Sequence, residues 1–133
     1  MKAQCLCAAT QFDVLLKHHD VQVCHCTMCR RQSSGITMSI EIENDIHWRE
    51  DSQLGIYASS DWGERGFCKA CGTVLFWRLK DHSYTNINVF ALSESPEGFQ
   101  IRQEIYIDHK PAFYALKNQT HQLTEAESIA LFK

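Results

Sequence analysis

The stretch FCKACGT, residues 67–73, places Cys68 and Cys71 three positions apart on a predicted tight turn. A Cys-x-x-Cys turn lets two thiolates converge on one metal ion, in the geometry of a zinc knuckle. Gly72 follows the second cysteine directly, at a point where a sharp turn or a positive φ favours glycine. The stretch therefore predicts one half of a metal site whose remaining ligands come from elsewhere in the chain.

All seven cysteines of the 133-residue chain lie in such tight clusters, the other two being CLC at residues 5–7 and CHCTMC at residues 24–29. Alternate side chains of an extended strand share one face, so Cys5 and Cys7 can point at the same ion. Cys24 and Cys26 are related in the same way, and Cys29 returns from the following turn. A closed zinc site takes four ligands and an open one takes three, so seven thiolates predict two zinc ions per chain.

Spacing alone leaves two ways to divide the seven ligands. One division builds a ribbon of two knuckles from four cysteines: Cys26, Cys29, Cys68 and Cys71. The other builds a closed structural site from the first and last clusters: Cys5, Cys7, Cys68 and Cys71. It leaves an open site with three thiolates: Cys24, Cys26 and Cys29. We favour the second division because it splits no cluster.

Apolar residues alternate with polar ones along much of the chain, which predicts a mainly β protein. The predicted strands cover residues 12–16, 36–42, 54–58, 73–79, 84–92 and 101–107, and one predicted turn is SPEG at residues 95–98. Thr124 and Glu127 form a capping-box pattern that predicts a short C-terminal helix. Its expected packing face consists of Ile129, Ala130 and Phe132.

Length and charge restrict the class of protein. A chain of 133 residues without repeats or linkers predicts a single domain over residues 1–133. The net charge of −3 and the pI of about 6.1 do not support a nucleic-acid-binding surface. No apolar segment precedes Cys5, and no apolar run approaches the ~18–20 residues of a membrane span, so we expect a cytoplasmic protein without a membrane partner. Clustered cysteines in a reducing compartment indicate metal binding rather than disulfides.

The order of the motifs resembles the glutathione-dependent formaldehyde-activating enzyme family, whose relatives include centromere protein V. The matching stretches are CLCAAT at residues 5–10, CHCTMCRRQSSG at 24–35, FCKACGT at 67–73 and IYIDHKPAF at 105–113. The resemblance implies a β-tent fold, in which small antiparallel sheets are stapled by zinc. This chain departs from the family pattern at Ala8, where glycine is common, and at Phe113-Tyr114, where tryptophan is often found.

The resemblance also implies roles for the two cysteine sets. A structural zinc would be held by Cys5, Cys7, Cys68 and Cys71. A catalytic zinc would be held by Cys24, Cys26 and Cys29. The implied reaction resembles that of S-(hydroxymethyl)glutathione synthase, a carbon–sulfur lyase that joins formaldehyde to glutathione.

Two functions from different classes follow as hypotheses. The first is a zinc-dependent carbon–sulfur lyase-type enzyme that binds glutathione or a similar thiol and forms or cleaves its adduct with a small aldehyde. Arg30 and Arg31 are then candidates to bind the carboxylates of the thiol, because guanidinium groups pair with carboxylates through two hydrogen bonds. The alternative is a non-enzymatic, zinc-stabilised binding module. In either case an extended strand directs His25 away from the metal, as a packed or hydrogen-bonded residue.

Overall fold

The computed structural model describes residues 1–95 and 97–132, and these form a mainly β protein with a short C-terminal helix, as predicted. Pro96, within the predicted turn at 95–98, lies outside the described residues. The strands are β1 (Lys2–Gln4), β2 (Gln11–Leu16), β3 (Asp20–Cys24), β4 (Thr37–Glu50), β5 (Leu54–Tyr57), β6 (Gly63–Cys68), β7 (Val74–Leu79), β8 (Thr85–Asn88), β9 (Gln100–Ile105) and β10 (His121–Gln122). The helices are α1 (Thr27–Ser33) and α2 (Glu125–Ala130), and short 3-10 turns span Val89–Ala91 and Ile107–His109.

The chain divides into two compact units, each built from separate stretches of sequence. The first comprises Met1–His19 and Ser39–Glu97, and the second comprises Asp20–Met38 and Gly98–Lys133. The first and last cysteine clusters both belong to the first unit, and the middle cluster belongs to the second. The prediction of a single domain over residues 1–133 stays a prediction.

The strand pairs described within the first unit are all antiparallel. β2 pairs with β1 and β4, and the order continues from β4 through β8, β7 and β6 to β5. The alternating positions seen in the sequence form its core, with Phe12, Ile40 and Leu75 buried. Gly66 is required where β6 crosses Phe76 on β7, because a Cβ there would lie 2.1 Å from the Cε2 atom of that ring.

In the second unit β9 lies between β3 and β10 and runs parallel to both. The sequence patterns did not indicate this parallel pairing, because β3 and β9 are separated by most of the chain and each is too short to be distinguished by its pattern. Cys24, the last residue of β3, stands opposite Ile105, the last residue of β9. The end of β9 thus lies beside the middle cysteine cluster.

Two predicted strands end earlier than expected. The strand predicted to reach Leu92 stops at Asn88, whose side-chain oxygen accepts a hydrogen bond from the Phe90 N–H and starts a 3-10 turn. The strand predicted to reach Ile107 stops at Ile105, because Tyr106 adopts a left-handed conformation with φ 54° and ψ 42°. Both strand ends are set by local geometry that an apolar pattern does not report.

The capping box of α2 is confirmed, but its predicted packing face is wrong. Thr124 Oγ1 accepts a hydrogen bond from the Glu127 N–H, and the Glu127 carboxylate accepts one from the Thr124 N–H. The buried residue of this six-residue helix is Ser128, whereas Ala130 and Phe132 are exposed. Among the described residues, no helix has the length and apolar character needed to cross a membrane.

Candidate metal centres

The four-cysteine set lies within the first unit, with its sulfur atoms all within 4.8 Å of one another: Cys5, Cys7, Cys68 and Cys71. The Sγ atoms of Cys5 and Cys7 are 3.7 Å apart, and those of Cys7 and Cys68 are 3.9 Å apart. Four sulfurs at ~2.3 Å from one zinc ion, at the corners of a tetrahedron, would be about 3.8 Å apart. The set therefore fits a zinc ion in both donor type and spacing.

Two tight turns deliver these four sulfurs. In the knuckle, Gly72 has φ 80° and its N–H donates to the Cys68 carbonyl at 2.8 Å, as the sequence predicted. In the first turn, Ala8 has φ 65° and its N–H donates to the Cys5 carbonyl at 3.2 Å. A left-handed conformation costs a non-glycine residue roughly 1–2 kcal/mol. This cost gives a physical reason why glycine would be favoured at this position.

Hydrogen-bond donors outside this set contact two of its sulfurs, those of Cys71 and Cys5. The pKa of the Cys71 thiol is lowered to about 5, chiefly by hydrogen bonds from the hydroxyl and the N–H of Thr73. The backbone N–H of Thr10 donates to Cys5 Sγ at 3.3 Å. Metal-bound thiolates commonly receive such hydrogen bonds from their surroundings. At Cys7, by contrast, the Ala9 N–H lowers the pKa, but burial and the neighbouring sulfurs outweigh it and raise the pKa to about 11. The donors at Cys71 and Cys5 suit sulfurs that bind a cation.

The three-cysteine set lies within the second unit and is buried throughout, with sulfur atoms within 4.8 Å of one another: Cys24, Cys26 and Cys29. Cys24 ends β3, Cys26 is the N-cap of α1, and Cys29 lies in its first turn. Cys26 Sγ accepts a hydrogen bond from the Cys29 N–H at 3.3 Å. The other two sulfurs, and then burial, raise the pKa of the Cys24 thiol. Packed thiols of this kind could hold a metal ion, and thiolate donors are consistent with zinc.

The structure thus groups the cysteines as in the division that splits no cluster. The four-cysteine set and the three-cysteine set each collect the sulfurs that we assigned to them. Spacing anticipates this grouping of sulfurs because strand alternation and turn closure act over two or three residues. That each set binds a zinc ion stays a prediction.

Arg30 is engaged with the backbone rather than directed at an open space. Its Nε donates to the His25 carbonyl at 2.8 Å, and one Nη donates to the His109 carbonyl at 3.3 Å. These bonds fix the strand end beside the three-cysteine set. Arg31 is exposed on the last turn of α1. Their binding of a substrate carboxylate stays a prediction, for which Arg31 has the more accessible guanidinium.

His25 is fully buried and hydrogen-bonded through both ring nitrogens, which confirms the prediction for this residue. Its Nε2 is 2.7 Å from a carboxylate oxygen of Glu104, and its Nδ1 is 2.8 Å from the Tyr114 hydroxyl. Burial raises the pKa of Glu104, but hydrogen bonds from Thr120 and His25 outweigh it and hold the pKa below its usual range. An ionised carboxylate only accepts, so the Nε2–H of His25 donates to it.

Sequence reasoning missed Glu104 and Tyr114. The two partners of His25 stand 79 and 89 positions from it in the chain. Glu104 is a charged residue of a short strand, and nothing local distinguishes it from a solvated glutamate. The available signal is His25 itself. It lies between two cysteines whose side chains point to the opposite face, and a buried histidine needs polar partners.

Replacing His25 by alanine is expected to lower the free energy of unfolding by about 3 kcal/mol, because the Glu104 carboxylate loses its buried partner. Urea denaturation in the presence of zinc measures this change. The matched variants are Glu104→Gln alone and the double variant, in which the buried charge is also removed. We expect the double variant to be more stable than the sum of the single effects implies. Strictly additive losses of unfolding free energy in the double variant would contradict the pairing of His25 with Glu104.

Tyr106 is a further residue that the sequence did not single out. With Ile105 it packs against the three buried cysteines, and its ring meets the His109 ring edge-on at 5.3 Å between centroids. Burial, and then the negative charges of Cys26 and Cys24, raise the pKa of Tyr106 to about 12. The phenol therefore keeps its proton beside the cluster of sulfurs.

A family model and two relatives match most of this chain. The family model for the glutathione-dependent formaldehyde-activating enzyme matches residues 1–109. An uncharacterized lyase of Schizosaccharomyces pombe is 32% identical over 132 residues, which cover 95% of this chain and 92% of that protein. A Halomonas elongata protein, provisionally named a glutathione-dependent formaldehyde-activating enzyme, is 24% identical over 133 residues, covering 90% of this chain and 82% of that protein.

A solved structure shares the fold. The crystal structure of a Rhodobacter sphaeroides protein superposes with a TM-score of 0.62 at 22% identity, covering 73% of this chain and 92% of that one. The family match over residues 1–109 contains every cysteine and Tyr106, whereas Tyr114 lies after it. The motif resemblance found in the sequence is confirmed. The chain belongs to the glutathione-dependent formaldehyde-activating enzyme family.

Proposed function

We propose that this protein is a zinc-dependent carbon–sulfur lyase-type enzyme that forms or cleaves the adduct of a small aldehyde with glutathione or a similar thiol. The observation that carries the proposal is the contrast between its two sulfur sets. Four sulfurs complete one set, whereas the described residues bring no fourth His, Cys, Asp or Glu ligand atom to the other. A set of three leaves one coordination position for a substrate, as catalytic zinc sites do.

The sulfur donors favour a thiol as the ligand at that position. Zinc bound there would lower the pKa of a substrate thiol and hold it as the nucleophilic thiolate. Three protein thiolates exceed the charge of the ion, so the centre is a weak Lewis acid, better suited to a thiolate than to forming hydroxide. A four-cysteine zinc site, by comparison, is closed and contributes to folding.

The chain's own residues set the geometry of the three sulfurs. Cys26 and Cys29 are fixed to each other by the hydrogen bond at the start of α1. The His25 N–H donates to the Ile105 carbonyl at 3.1 Å, and the His25 ring is locked by Glu104. These contacts hold the residue that lies between Cys24 and Cys26, so the set is organised before a substrate arrives.

A thiol such as glutathione also carries carboxylates, which need positive partners. We propose that the exposed guanidinium of Arg31 binds one of them, with Arg30 contributing the donors that its two backbone contacts leave available. All seven cysteines are free thiols in the structure, which suits a protein of the reducing cytoplasm. The net charge of −3 fits a small-molecule substrate better than a nucleic acid.

Metal and thiol titration together test the proposal. We expect metal analysis to find two zinc ions per chain. In the cobalt-substituted protein, glutathione should change the absorption of one ion of the two, and S-methylglutathione, which has no thiol, should not. Arg31→Ala should weaken glutathione binding about tenfold, the loss expected for one charge-assisted pair. If neither glutathione nor other small thiols change the absorption of either ion, the result would favour the non-enzymatic binding module.

Catalysis is tested separately by following formaldehyde in the presence of glutathione by ¹³C NMR. The expected result is faster approach to the adduct equilibrium with the zinc-loaded protein than with buffer. The protein with only its four-cysteine site loaded is the matched control. Equal rates in all three samples would contradict the enzyme and leave thiol binding as the function.

A further inference from the structure

Tyr106 has an uncommon backbone conformation for a large side chain. Its φ of 54° and ψ of 42° lie in the left-handed region, which glycine or asparagine occupies at lower cost. Its N–H donates to Ser128 Oγ at 3.3 Å, and the next N–H, of Ile107, donates to the Leu123 carbonyl at 2.9 Å. Neighbouring segments therefore hold the residue in this conformation. Strain of this kind concentrates at functional sites, where a side chain must point in one direction.

Tyr106 lies against the three-cysteine set. Tyr106 packs against Cys24, Cys26 and Cys29, which are each only 7–8% exposed. The residue itself is partly exposed, so it contacts both the cysteine set and the solvent. Within residues 1–95 and 97–132, its hydroxyl makes no hydrogen bond. The other tyrosine near this set, Tyr114, is different, because its hydroxyl contacts the His25 ring at 2.8 Å.

We propose that Tyr106 is a catalytic residue, whose hydroxyl donates a hydrogen bond to the aldehyde oxygen as the thiol adds to the carbonyl carbon. This inference rests on the proposed function and deepens it. A substrate that reaches the buried sulfurs also lies beside the phenol, and the aldehyde oxygen is the substrate atom that gains negative charge. A donor placed where charge develops stabilises the transition state more than the ground state.

The step balances without any further reactant. The thiol loses its proton to solvent, and its sulfur forms a bond to the carbonyl carbon. The π electron pair of the C=O bond moves to oxygen, which then takes a proton from solvent to give the hydroxymethyl adduct. Tyr106 keeps its own proton throughout and supplies only the hydrogen bond. The reverse reaction uses the same contact in the same place.

A purely structural role for Tyr106 makes a different prediction. Packing against three sulfurs requires the ring and not the hydroxyl, and phenylalanine provides the same ring. The left-handed backbone is equally strained with phenylalanine. Tyr106→Phe therefore removes the hydroxyl and leaves the packing, which makes it the informative substitution.

The test compares Tyr106→Phe with the native protein in its zinc-loaded form. We expect the rate of adduct formation to fall about a hundredfold, as for removal of one oxyanion donor. Zinc content and the affinity for glutathione alone should be unchanged. The affinity for the hydroxymethyl adduct, measured with ¹³C-labelled formaldehyde by NMR, should weaken about tenfold, as expected for loss of one hydrogen bond. This binding measurement does not depend on turnover.

Two further tyrosines serve as controls. Tyr57→Phe changes an exposed residue of β5 in the first unit and should alter neither rate nor binding. Tyr114→Phe removes the hydroxyl that contacts His25, and should not selectively weaken the adduct relative to glutathione. An unchanged rate and adduct affinity in Tyr106→Phe would overturn the inference. If native protein shows neither thiol binding nor adduct formation, the proposed function itself has failed.

Discussion

Cys68→Ser is expected to leave this protein unfolded at ordinary growth temperatures, so that heating produces no cooperative unfolding transition. Cys68 is completely buried at the end of β6. Its sulfur lies within 4.8 Å of those of Cys5 and Cys7, which belong to the first turn. A structural zinc ion contributes roughly 10–16 kcal/mol, whereas a folded domain has a net stability of about 5–15 kcal/mol. Losing a ligand from a four-thiolate site therefore removes a contribution as large as the whole stability.

Thermal melting by circular dichroism, together with metal analysis, measures this effect. Leu6→Ala is the matched control, because Leu6 lies between Cys5 and Cys7 but is 85% exposed. We expect the control to melt like the native protein and to retain both ions. A chelator strong enough to remove zinc should reproduce the Cys68→Ser result in the native protein. A soluble Cys68→Ser variant with native melting would show that the four-cysteine set does not support the fold.

The features that sequence predicted correctly are those fixed by neighbouring residues. Cys5 and Cys7 share a face because they are two apart on an extended segment, and Gly72 closes the knuckle because it takes a positive φ. The capping box of Thr124 and Glu127 spans one turn of helix. In each case, the backbone geometry that joins the residues is determined within a few bonds, so spacing is sufficient.

The features that sequence missed depend on contacts between distant segments. β3 and β9 are parallel neighbours, and His25 meets Glu104 only because of that pairing. Tyr106 is placed by Ser128, 22 positions later in the chain. No periodicity links such residues, since periodicity reports which face of an element is buried and not what covers it. The missed residues are also the ones that organise the three-cysteine set.

Both sulfur sets are candidates for zinc, but replacing a ligand should lower the free energy of unfolding by different amounts in the two sets. The four-cysteine set joins two loops of the first unit that are more than sixty positions apart, so a metal ion bound there would close a long segment of chain. The three-cysteine set spans six consecutive positions of one strand end and one helix start. Hydrogen bonds through His25 and Arg30 already fix that segment. Loss of a metal ion from the three-cysteine set should therefore lower the reaction rate far more than the stability of the fold.

Cys26→Ser is accordingly expected to leave the protein folded, with one zinc ion per chain, and to reduce adduct formation to the rate in buffer. Cys26 is the N-cap of α1, and its sulfur accepts a hydrogen bond from the Cys29 N–H. Serine is among the preferred N-cap residues, so its hydroxyl can take over this hydrogen bond, but it is a poor ligand for zinc. The substitution thus separates the helix cap from the metal ligand at one position.

Metal analysis, urea denaturation and the ¹³C NMR rate measurement together check the result. Met28→Ala is the control in the same helix, because that side chain is half-exposed and is no ligand; it should keep both ions and the native rate. Cys26→Ala loses both the cap and the ligand, and should be less stable than Cys26→Ser by about 1 kcal/mol. Native activity in Cys26→Ser would exclude the three-cysteine set as the reaction centre. Unfolding of Cys26→Ser would instead make that set structural, like the one that contains Cys68.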